Sequence, residues 1–124
     1  MDKVLRNKIK RYLNLWVKQL GLGMWRIDAY YYDNPLTVMK EFAAGENEIV
    51  YAEVTSDWRY MKAAIKFNMP ALTGKTDEEI EASVVHELCH ILVCEMRTDG
   101  VDHEERVVTG LQLAFMWTRE AGRK

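Results

Sequence analysis

The chain is 124 residues long, the size of one domain. It is 48% hydrophobic and 29% charged, which excludes a disordered or fibrous protein. A net charge of -2 gives no bulk attraction to a polyanion, so nucleic-acid binding is disfavoured.

In chain order, Leu5, Ile9, Leu13, Trp16 and Leu20 recur at helical spacing and predict an amphipathic helix from roughly Asp2 to Leu20, closed by Gly21 and Gly23. Its basic residues Lys3, Arg6, Lys8, Lys10 and Arg11 read as a solvated face, with nucleic-acid contact as the rival. Trp25 to Asp33 alternates and predicts a strand ended by Asn34-Pro35. Val38 to Gly45 reads as a loop or a short edge strand. Glu48 to Val54 predicts a second strand, Thr55-Ser56-Asp57 a turn, and Tyr60 to Phe67 a third strand in hairpin pairing with the second. Pro70 and Gly74 punctuate a loop.

Thr76 and Glu79 have capping-box spacing, and Asp77, Glu78, Glu79 and Glu81 load the helix start with negative charge. Ile80, Val84, Leu88, Ile91 and Leu92 carry that helix to about Met96, where Thr98-Asp99-Gly100 breaks it. A last helix is predicted from about His103 to Glu120. No run of apolar residues approaches the length of a membrane span, and the basic start lacks a following apolar leader core. Cys89 and Cys94, if on one helix, have Cα atoms about 8 Å apart, beyond disulfide reach. A reduced, cytoplasmic setting without membrane attachment is expected.

Within the capped helix stands His86-Glu87-Leu88-Cys89-His90, the pattern H-E-x-x-H. Histidines at i and i+4 lie one above the other on a helix face and can aim their ring nitrogens at one Zn2+. The glutamate beside the first is placed to take a proton from an attacking water. Two of the chain's 3 histidines fall in this pattern, where a helix is predicted independently. The competing reading is a pair of half-buried histidines bonded to ordinary neighbours.

The segment from Ser83 through the motif to Leu92 resembles the active-site helix of zincin metallopeptidases. The layout of N-terminal helix, small sheet, motif helix and final helix is similar to the short gluzincin-like proteins, often phage-encoded, called minigluzincins. His-Glu-Leu-Cys-His also resembles SprT-like proteases, but the glycine-rich, aromatic context of their third histidine is absent. The resemblance implies an α+β fold, with three helices packed on a mostly antiparallel sheet of three or four strands. It implies a cleft lined by an edge strand such as Tyr60 to Phe67. It implies zinc-dependent peptide hydrolysis, with Glu87 as general base and an extended peptide or protein as substrate. A monomer is expected.

A catalytic zinc needs three protein ligands and an open position. The gluzincin-like pattern implies that the third is Glu105, in the first turn of the last helix before Val107-Val108. Three alternatives stay open. Asp102 and Glu105 have capping-box spacing, so Glu105 could bond the helix start instead. His103 would complete a three-histidine site, and the helix faces do not decide: Glu105, Val108, Gln112 and Phe115 fall on one side, but Glu104, Val108, Leu111 and Phe115 do so equally well. Cys89 and Cys94 read as core. Tyr30, Tyr31, Tyr32, Tyr51 and Tyr60 are weighed as oxyanion donors against simple packing. Trp16, Trp25, Trp58 and Trp117 are expected in the core and its rim. The rival functions are a zinc-binding interaction module without catalysis and a DNA-associated protease.

Overall fold

A computed structural model describes residues 2–42, 49–100 and 102–122, with backbone alone at 36, 97 and 98. Among them are six helices where three are expected, and a three-stranded sheet with one parallel and one antiparallel pairing where a mostly antiparallel sheet is expected, in an α+β arrangement. Helix α1, Lys3–Gln19, starts where the Asp2 carboxylate accepts the Leu5 N–H at 3.0 Å. Leu5, Ile9, Leu13 and Trp16 form its buried stripe. The chain leaves it at Gly21, whose φ of 70° suits a residue without a Cβ.

The strands are β1 (Arg26–Tyr32), β2 (Ala52–Asp57) and β3 (Lys62–Asn68), in the order β1-β3-β2. The β2–β3 hairpin is antiparallel as expected, with Ala52 opposite Phe67 and Asp57 opposite Lys62. β1 runs parallel to β3, from Arg26 opposite Lys62 to Tyr32 opposite Asn68. This pairing makes β3 the central strand, and Ala63, Ile65 and Phe67 are buried in the core. The Tyr60–Phe67 segment therefore does not supply the edge of the cleft. β2 does, because β1 returns to cover the other side of β3. A parallel partner requires a long crossover, here one that includes helix α2, Pro35–Glu41, and β2 itself.

Other boundaries shift for local reasons. α2 replaces the expected loop or strand from Val38, with Pro35 at its first position, where a missing N–H costs nothing. The rest of that expected segment, 43–45, and the expected start of the second strand at Glu48 lie outside the described residues. Thr55 to Asp57 continue β2, and the reversal falls at Trp58 to Met61 instead. The loop around Pro70 contains a one-turn helix α3, Met69–Leu72, capped by Asn68. The Asn68 carboxamide accepts the Ala71 N–H at 3.2 Å and donates to the Val50 carbonyl at 2.9 Å, joining the turn to the approach to β2.

Helix α4, Asp77–Leu92, has the full capping box: Thr76 Oγ1 accepts the Glu79 N–H, and the Glu79 carboxylate accepts the Thr76 N–H, each at 3.1 Å. It ends at Leu92, short of Met96, and α5 (Cys94–Thr98) takes up the remainder. The final helix α6 spans Glu104–Gly122. Ile80, Val84, Val85, Leu88 and Ile91 of α4 pack into the core with Ile9, Phe67 and Val108. Cys89 and Cys94 are free thiols in buried positions. Burial pushes the Cys89 thiol up to about 11, as expected of an inert core residue. Trp16 is core, but Trp58 and Trp117 are exposed, Trp117 to 73%, so the tryptophan expectation holds only in part. Among the described residues no helix is long and apolar enough to cross a membrane.

One polar cluster is embedded among α1, α4 and α6. Glu81 is 3% exposed, accepts the Trp16 indole N–H at 2.7 Å and pairs with the Arg119 guanidinium. A carboxylate this deep is tolerable only while its partners remain. Arg119→Ala should therefore destabilise the fold by about 3–5 kcal/mol in denaturant titration. Lys8→Ala, at the exposed bridge to Asp77, should cost less than about 1 kcal/mol.

Candidate metal centre

The motif histidines occupy α4 one turn apart, and their rings meet edge to face with centroids 5.1 Å apart. The opposite side of the same helix, at Val84, Val85 and Leu88, is fully buried, which fixes the rotation of α4 and turns the histidines toward α6. The first turn of α6 brings Glu105 to them. One Glu105 carboxylate oxygen lies 2.6 Å from His86 Nε2 and the other 3.0 Å from His90 Nε2. The outer nitrogens are held from behind. His86 Nδ1 lies 2.8 Å from Gln112 Oε1, and His90 Nδ1 lies 2.5 Å from Glu104 Oε2.

This donor set can be tested against a cation. Each ring has an oxygen at both nitrogens, yet a neutral imidazole carries one N–H and can donate to only one of them. With the Nδ1–H donated backward to Gln112 or Glu104, each Nε2 offers a lone pair toward the same point in front of Glu105. A positive charge there satisfies both rings and the carboxylate together. The ligand atoms of His86, His90 and Glu105 all lie within 4.8 Å of one another. These three residues are close enough to hold a metal ion.

The alternatives for the third position resolve into different roles. Glu104 touches His90 on the side away from Glu105, as a buttress to the ring. His103 is exposed, with a φ of 70°, and is not part of the cluster; its carbonyl accepts the Val107 N–H at the start of α6. Glu105, with capping-box spacing to Asp102, turns its carboxylate to the histidines.

Glu87 lies between the two histidines in sequence, is 7% exposed, and lines a cleft of about 540 Å³ together with His86, His90 and Glu105. Burial first, then the negative charges of Glu105 and Glu53, push its carboxyl up to about 8. A bound cation acts in the opposite sense, favouring the ionised form. The far wall is formed by residues 49–55, so β2 borders one side of the cleft. Ala82 and Ser83, small residues one turn ahead of the motif, keep the α4 side open. Of the tyrosines weighed as oxyanion donors only Tyr51 lines this cleft. Tyr31 stacks on Phe67, Tyr32 meets Phe42 edge-on, and Tyr30 and Tyr60 are exposed.

Against this geometry, comparison with known proteins adds no identity. No family model, curated protein or solved structure matches the chain.

Sequence reasoning gives no role in the site to two residues that share it. Gln112 is seven residues after Glu105, two turns along α6, and that spacing is the available signal for a shared face. Glu53 carries none, because only the sheet order places β2 beside the motif helix. Metal quantification on purified variants tests the ligand set. His86→Ala, His90→Ala and Glu105→Ala should lose bound metal, and Gln112→Ala should weaken it by about 10–100-fold in chelator competition. Glu87→Gln should keep it. Retention in Glu105→Ala with loss in His103→Ala would overturn the assignment.

Proposed function

We propose that this protein is a zinc-dependent metallopeptidase of the zincin type, similar in layout to the minigluzincins, that hydrolyses peptide bonds in the cleft between α4 and β2. The observation that carries the reading is the convergence of both His Nε2 atoms on Glu105, with the buried Glu87 carboxylate beside them in an open cleft. Two imidazoles and one carboxylate are a ligand set used by zinc in hydrolytic sites. Zinc held by His86, His90 and Glu105 would supply Lewis acidity, polarising a carbonyl and making water more acidic.

The chain's own residues supply the rest. Glu87, withdrawn from solvent in the cleft wall beside the histidines, takes the proton of the attacking water. It returns that proton to the leaving amine as the C–N bond breaks, which restores the ionised carboxylate. Glu104 and Gln112 hold the histidine rings in the tautomer and orientation that leave Nε2 free. β2 pairs with β3 on one side, and among the described strands nothing pairs with its other side. An extended peptide can add there as a further strand, placing a carbonyl against the histidines.

The rival readings lose support for specific reasons. An interaction module with a closed metal site does not need a cleft that reaches both histidines. A DNA-associated protease would draw on the basic start of the chain, but a net charge of -2 gives no bulk attraction to a polyanion and Lys8 is paired with Asp77.

Hydrolysis of unstructured peptides by the zinc-loaded protein should disappear with a chelator and return with Zn2+. Glu87→Gln should lower kcat by about 10²–10⁴-fold while leaving metal content intact. Undiminished turnover in that variant would rule out the proposed base.

A further inference from the structure

The cleft has an unbalanced charge. Glu53, Glu87 and Glu105 line it, and among the described residues no lysine or arginine does. A divalent cation at the histidines offsets two of these three carboxylates, so with all three ionised the cleft stays negative even when loaded. Glu53 is the carboxylate with no role in holding metal or moving a proton. It stands on β2, the wall along which an extended peptide would lie, and is half-buried. Its cross-strand neighbour Lys66 feels the charge of Glu53, but the hydrogen bond of the Lys66 ammonium goes to Glu41, at 2.9 Å. Glu53 lines the same cleft as His86, Glu87 and His90, on the wall opposite them.

We propose that Glu53 is a specificity-determining residue that selects peptides carrying lysine or arginine close to the scissile bond; this rests on the peptidase reading of the same cleft. A cationic side chain on a substrate strand laid along β2 gains an opposite-charge partner in Glu53, while an acidic one meets a like charge there. Cross-strand pairs of opposite charge are favourable and like pairs unfavourable, by amounts that compound across the comparison. Glu53 is half-buried, so its charge is screened less than one on a fully exposed surface would be.

The test uses matched fluorogenic peptides with a single lysine, alanine or glutamate placed in turn at positions flanking the cleavable bond. Binding is read by fluorescence polarisation on the zinc-loaded wild type with peptides whose scissile amide is replaced by an uncleavable isostere, and kcat/KM is read on the same protein with the cleavable peptides. Lysine peptides should exceed glutamate peptides on the order of tenfold in both readouts, with the gap narrowing as salt rises. Glu53→Gln should shrink the gap, and Glu53→Lys should reverse it. The near-isosteric glutamine variant keeps the test decisive if the lysine variant fails to fold.

Equal treatment of lysine and glutamate peptides, or a preference that survives both substitutions, overturns the proposal even if hydrolysis is robust. Glu53-dependent binding of lysine peptides without any cleavage upholds the charge selection and sinks the peptidase reading instead. No binding and no cleavage of either class overturns both.

Discussion

The structure turns on the contact between two helices, where the carboxylate of Glu105 at the start of α6 meets His86 and His90 on α4. The helical repeat stacks the two rings on one face, and it alone does not bring them to a common point. That requires oxygen atoms on both sides of each ring, provided in front by Glu105 and behind by Glu104 and Gln112. All three come from α6. The site therefore depends on how α6 docks, and the docking is set away from the site by Val108 and Met116 in the core and by Arg119 on Glu81.

The same helix α4 carries a buried apolar side and a polar, functional side. Val84, Val85 and Leu88 are at most 1% exposed, while Glu87 and His90 are nearly as buried but face charge and open space. Burying a carboxylate such as Glu87 beside other carboxylates is unfavourable in the absence of a cation, and the surrounding core offsets that strain. Glu81, five residues before His86 on the same helix, is a contrasting case. Its charge has a guanidinium and an indole as partners and serves architecture alone.

The motif helix is legible in the sequence because three independent signals coincide there: the capping box at Thr76 and Glu79, the apolar stripe, and the i, i+4 histidines. Glu105 is reachable through resemblance, with His103 and Glu104 as rivals, because no spacing rule says which of three consecutive polar residues a helix start turns inward. The sheet is legible as strands and as a hairpin but not as an order. The pairing of β1 with β3 links Arg26 to Lys62 across 36 positions, and nothing in either strand's alternation names the other. The sequence therefore points to the wrong strand for the cleft wall, and Glu53 stays hidden with it. Asn34-Pro35 reads as the end of a strand, although a proline opens a helix equally well.

Because α6 delivers the buttresses and Glu105 together, ion occupancy and docking of the C-terminal helix are thermodynamically linked. Any cation gripped by the cluster fastens α6 to α4, and whatever loosens α6 loosens that grip to the same degree. Arg119, about four turns from Glu105 along the helix, thus becomes a remote contributor to affinity without approaching the ion.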